Sequence, residues 1–187
     1  MRGTFYLPVA CPLHARGIQR LAREQEVGAH SVTHPDLRGL PDAGVEAQVW
    51  GSKRALEILT GFPVRMFAYP YGRHDARVRK TVKRAGFAGA RTYEQGSLRA
   101  PKDPFRMRIT LSLAHAHAKV TQDTLFALAC ATFDEVLRRG GVWHMASHAR
   151  EIEVHGMWGL LKETLDYVSR RRGVAYVPNV AALASGL

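Results

Sequence analysis

Cysteine is nearly absent: Cys11 and Cys130 are the only two among 187 residues. Two thiols are too few for a disulfide scaffold or a cysteine zinc site. They read as ordinary small side chains in a reducing interior. No stretch approaches the roughly 20 uninterrupted apolar residues of a membrane span, so no membrane partner is expected. Residues 1–20 are not expected to act as a secretory leader, because Pro8, Pro12, His14 and Arg16 break any apolar run. There is no GxGxxG, no GxxxxGK[ST] and no GxSxG, which removes the familiar phosphate loops and the serine nucleophile elbow. Acidic residues are scarce too. No Asp precedes Asp36, and no two Asp are adjacent.

What is present is ordinary for a globular chain: 46% apolar and 23% charged residues exclude disorder throughout. The length suits one domain, 1–187. The 27 Lys and Arg outnumber 16 Asp and Glu, for a formal charge of +11. Such a surface attracts anions, acidic glycans and cell-wall polyanions included. The densest basic runs are Arg77, Arg79, Lys80, Lys83 and Arg84, and then Arg170 to Arg172. Both lie in expected helices and read as solvated faces, so no nucleic-acid partner is expected.

Apolar β-type runs alternate with helical patterns. Strands are expected at 4–9, 26–30, 64–69, 87–90, 106–111, 142–147 and 174–177. Helical spacing runs through Ile18, Leu21 and Ala22, then over 45–59, 76–85, 121–138 and 157–171. Gly61, Gly86 and Gly140 stand at expected helix ends, and Thr121 at an expected N-cap. Residues 92–104, with Gly96, Pro101 and Pro104, read as a surface loop. Repeated β-then-α order implies a parallel sheet, open or closed into a barrel, with chemistry at the C-terminal strand ends.

Three segments meet that rule. In GAHSVTHPDL, His30 and His34 are spaced to share one metal if the chain between them turns. In FAYPYG, a proline ends the strand and a glycine permits a tight turn, which leaves the Tyr71 amide available to an oxyanion. In GVWHMASH, alternation puts His144, Ala146 and His148 on one face. His144 reads as a satisfied core histidine. His148, at the strand end, is a candidate general acid. His115 and His117 read as loop residues, and His14, His74 and His155 have no partner visible in sequence.

Taken in order, GAHSVTHPDL, FAYPYG, GFAGART and GVWHMASH resemble the polysaccharide deacetylase family, carbohydrate esterase family four or the NodB-homology domain. The resemblance runs from Thr4 to about residue 177. It implies a distorted, incomplete (β/α) barrel. It also implies metal-dependent hydrolysis of N- or O-acetyl groups on polysaccharide or oligosaccharide. His30 and His34 match the two metal-binding histidines, Tyr71 the residue whose amide holds the oxyanion, and His148 the histidine that protonates the leaving group. The implied cofactor is a divalent metal, zinc by ligand type. Family members carry an Asp-Asp motif, one Asp a base and the other a metal ligand. This sequence has neither, so the expectation is a barrel lacking its first strand, a weakened metal site and weak or no activity. The family arginine of the third motif is replaced by Ala68. The alternative is a non-catalytic carbohydrate-binding remnant. Edges left by a missing strand favour a homodimer. Location, for a chain complete as given, is expected to be cytoplasmic.

Overall fold

The computed structural model describes residues 2–113 and 120–184. His115 and His117 lie outside the described residues. The chain divides into two compact units. The first holds Met1–Tyr93, Pro101–Met107 and Tyr176–Gly186; the second is built chiefly from Arg108–Ala175.

In the first unit, four strands make one parallel sheet in sequence order: β1 (Thr4–Leu7), β2 (Glu26–Ala29), β3 (Met66–Ala68) and β4 (Gly89–Arg91). Tyr6 pairs with Gly28, Ala29 with Phe67, and Ala68 with Arg91. Helices α1 (Ala15–Glu24), α2 (Asp42–Thr60) and α3 (Ala76–Arg84) connect the strands. Parallel neighbours require such crossovers. On α2 the buried residues are Val45, Val49, Ser52, Leu56 and Thr60, a stripe at helical spacing. The two polar members are satisfied locally: Ser52 Oγ donates to the Val49 carbonyl and Thr60 Oγ1 to that of Leu56. Gly61, left-handed at φ 76°, stops α2, and Asp75 caps α3 through the Val78 amide.

The stripe of α2 packs on one sheet face with Leu7, Val27, Ala29, Phe67 and Ala90. The other face carries Tyr6, Gly28, Ala68 and Arg91, because neighbours along a strand alternate. A last short helix, α7 (Asn179–Ala184), returns to β1, where Asn179 donates to Thr4 Oγ1 and to the Tyr6 hydroxyl.

In the second unit, β5 (Leu111–Ser112) and β6 (Met145–Ala146) pair in parallel beside α4 (Gln122–Arg139), α5 (Ala149–Val154) and α6 (Trp158–Val168). Leu111, Leu113, Leu125, Ala129, Ile152, Met157 and Leu160 form its core. Thr121 caps α4 as expected, accepting from the Thr124 amide.

Several expected elements differ. The strand at 142–147 contracts to two residues. The Thr110 hydroxyl takes the His144 amide, and Trp143 turns its ring nitrogen to Thr132 Oγ1. The segment 106–111 changes partner midway, Met107 donating to Ala90 and Thr110 to His144, so ladder pairing starts only at Leu111. Residues 174–177 join no strand. The six-residue helices α5 and α7 were not expected.

Candidate metal-binding site

Two loops leave the C-terminal ends of the neighbouring strands β2 and β3. The first begins at His30, whose amide donates to the Leu7 carbonyl at 3.0 Å and so continues the ladder to β1. Its Nδ1 lies 2.8 Å from the Ala68 carbonyl oxygen at the end of β3. A carbonyl only accepts, so Nδ1 carries the proton and, in the neutral ring, Nε2 holds the lone pair. The Nε2 of His34 lies 3.0 Å from that atom. Two nitrogens on one tetrahedral zinc, each about 2.0–2.1 Å from it, stand about 3.3 Å apart. The pair is therefore close to a ligand geometry already. Burial lowers the His34 pKa and favours its neutral form, the form a metal needs.

The loop is built to hold this arrangement. Ser31 and His34 are both left-handed, at φ 64° and 60°. Ser31 Oγ accepts from the His34 amide at 2.9 Å. The carbonyl oxygen of Gln48, on α2, accepts from the amides of Val32 and Thr33, both at 3.0 Å. Its amide nitrogen donates to Thr33 Oγ1. Nothing in the local sequence pattern marks Gln48, which stands fourteen residues beyond His34 (48 less 34) on a helix read only for its apolar stripe.

Tyr71 sits in the second loop at φ 57°, ψ 11°. The Gly72 and Arg73 amides close the turn onto the Tyr69 and Pro70 carbonyls. The Tyr71 ring lies edge-on to His34, centroids 4.7 Å apart. Gly72 is required: an added Cβ would stand 2.5 Å from Tyr93 Cβ, and φ is +70°. Of four left-handed non-glycine residues among those described, Ser31, His34 and Tyr71 fall in these two loops. Each costs about 1–2 kcal/mol, and such strain gathers at functional sites.

Asp36 is a carboxylate two residues past His34. It pairs with Arg38 at 2.8 Å and with Arg73 of the second loop at 3.2 Å. Hydrogen bonding from Arg38 holds its carboxyl far below the ordinary range. It ties one loop to the other. Among the described residues, no group of three or more His, Cys, Asp or Glu is gathered as a metal site. The donor set thus fits a metal as a two-imidazole partial site.

His148 lies two residues after β6, in the second unit, as the N-cap residue of α5. It is off the strand, so the expected alternation with His144 stops short of it. Its Nδ1 is 3.4 Å from Glu151 Oε2, one turn along. His144 is half-buried and not in the core; its Nδ1 donates to the Arg108 carbonyl at 3.1 Å. The His74 ring lies tilted at 45° to that of Tyr69, centroids 4.7 Å apart.

Residues 4–90 match the family model described as polysaccharide deacetylase. A Mycobacterium smegmatis protein assigned as a polysaccharide deacetylase aligns over 98% of this chain and 71% of its own, with a TM-score of 0.75 at 16% identity. A CE4 family pseudoenzyme from Bacillus anthracis aligns over 98% of this chain and 56% of its own, with a TM-score of 0.65 at 19% identity. A polysaccharide deacetylase from Bacillus cereus is 28% identical over 56% of this chain and 35% of its own, with a TM-score of 0.48. The chain therefore spans 35% and 56% of the length of the two Bacillus proteins. At these identities the full-length alignments show the fold, a parallel α/β architecture consistent with an incomplete barrel. No curated protein matches the sequence.

Proposed function

From the premise that residues 4–90 are of the polysaccharide deacetylase family, we propose that the chain descends from, and retains the metal-gripping half of, a hydrolase of acetylated carbohydrate. The observation that carries this reading is the His30–His34 pair, with its Nε2 atoms 3.0 Å apart and one tautomer locked by Ala68. The locked proton is the outer-shell device found behind metal-bound histidines. A divalent cation, zinc by ligand chemistry, would be held there by His30 and His34 and would supply a water of lowered pKa and polarisation of an acetyl carbonyl.

The protein's own groups have distinct parts in the reading. His30 and His34 hold the cation. The Tyr71 amide, in a turn whose next two amides are spent on closure, donates to the oxygen that gains charge during attack. His148 is assigned proton delivery to the leaving amine or alkoxide; that part rests on the family resemblance. β1 ends the sheet order, and a homodimer across its edge belongs to the same reading, checked by sedimentation velocity.

The two-histidine donor set favours a second reading, a binding remnant that holds saccharide without hydrolysis. The pseudoenzyme likeness keeps this company. Zinc content and acetate release from acetylated chito- and xylo-oligosaccharides separate the two. The deacetylase reading expects zinc in the wild-type chain, its loss in His30→Ala, and acetate above the no-protein blank. Saccharide binding with no acetate supports the remnant. Full zinc retention in His30→Ala refutes the metal assignment.

A further inference from the structure

Two sides of α2 serve different neighbours. Gln48 braces the His30–His34 loop, and a Cβ added at Gly51 would stand 3.3 Å from Val32 of that loop. At 3.6 residues per turn, Trp50 projects about 200° round the axis from Gln48. With Lys53, Arg54 and Glu57 it makes an i, i+3, i+4, i+7 row along another side of the helix. Arg84 and Ala85, at the end of α3, stand beside this row, and the six residues line a cleft of about 310 Å³. That volume lies at the small end of ligand sites.

The protein itself leaves much of this lining unused. Trp50 is 40% exposed, a large indole left open to water. The Arg84 guanidinium carbon lies 5.7 Å from the Trp50 ring, and its Nη1 reaches Glu46, which is not part of the lining, at 3.2 Å. Arg54 is exposed and forms no hydrogen bond or ion pair among the described residues. Glu57, the one carboxylate in the lining, is neutralised by Lys53 at 2.9 Å and accepts from the Val64 amide. Three cations therefore face one spent carboxylate, beside one aromatic platform. Guanidinium takes a carboxylate through paired hydrogen bonds. An indole takes the flat C–H face of a sugar ring. A nucleic-acid strand wants successive aromatic platforms, and Trp50 is the only aromatic in the lining.

We propose that this cleft is an accessory site for an acidic saccharide, with Trp50 against one pyranose ring and Arg54 and Arg84 on its carboxylate. The anion and the single platform follow from the cleft; the choice of a sugar over a lone nucleotide rests on the function proposed above. Such a site holds a polymer on the helical side of the sheet while another part of it lies at the strand ends.

The test follows the indole ¹⁵N–¹H signal of Trp50, assigned by its loss in Trp50→Ala, during titration of the full chain with trigalacturonate, neutral cellotriose or AMP. Trigalacturonate should shift it saturably, and added salt should weaken the binding. Cellotriose should bind at least fivefold more weakly. By calorimetry, Trp50→Ala and Arg54→Gln should each weaken trigalacturonate binding about tenfold, with circular dichroism confirming the fold. His30→Ala should leave the Trp50 shift intact, because the cleft and the histidine loop lie on different sides of α2. An indole signal indifferent to trigalacturonate, equal binding of cellotriose, tighter binding of AMP, or loss of the shift in His30→Ala each overturns the proposal. Binding at Trp50 in a chain that releases no acetate supports it and counts separately against the deacetylase reading.

Discussion

At the scale of the residue, the His30–His34 loop is held by groups that never touch a ligand. Gln48 alone satisfies two loop amides and one hydroxyl. Gln48→Ala should lower zinc affinity about tenfold, the low end of outer-shell effects, while leaving the helix that carries it intact. Equal zinc affinity by competition with a chelating dye would show that the loop holds itself. The histidines and Tyr71 were legible in sequence because they follow strand ends and sit beside turn-forming residues. Gln48 and the Trp50 cleft were not. One acts across a helix-to-loop packing, and the other needs the end of α3 set beside α2.

At the scale of the element, strong local signals survived and weak ones did not. The apolar stripe of α2 and its Gly61 stop needed nothing from elsewhere, and neither did the Thr121 cap. By contrast, the extent of β6 was decided by Thr110, 34 residues away from His144, and α5 has six residues, too short for periodicity to announce. One junction has a pH signature. Glu57, near the end of α2, accepts from the Val64 amide at 3.0 Å and pairs with Lys53 at 2.9 Å, tying the helix to the approach of β3. Burial pushes its carboxyl up, but the Lys53 ammonium and the Val64 amide pull it further the other way, to below its ordinary value. The unfolded chain therefore takes up the proton first. The stability this tie provides is complete above the ordinary glutamate value of about 4.3 and is lost as pH falls through the lower, folded-state value. Between about pH 6 and about pH 3 the urea midpoint should fall further for the wild type than for Glu57→Gln; parallel curves would refute the tie.

At the scale of the whole molecule, the two units differ in how their backbones are secured. The first has four strands with a helix-backed core, the second a pair of two-residue strands beside three helices. Amides of β2 and β3 should exchange with deuterium more slowly than those of β5 and β6, because protection follows buried, laddered hydrogen bonds. Faster exchange in β2 and β3 would contradict that order. The parallel α/β class was legible from element alternation alone. The division into two units was not, since the chain crosses between them at residues 93–94, 100–101, 107–108 and 175–176 with no linker composition to mark it.

The left-handed backbone at Ser31, His34 and Tyr71 has a consequence for descent. Glycine or asparagine would sit at those φ values more comfortably, so mutation left unchecked should replace all three. A lineage that has abandoned the chemistry ought to show relaxed, glycine-rich loops at these positions, whereas one still under selection keeps the uncomfortable residues; the alphabet found there among close kin is a record of use.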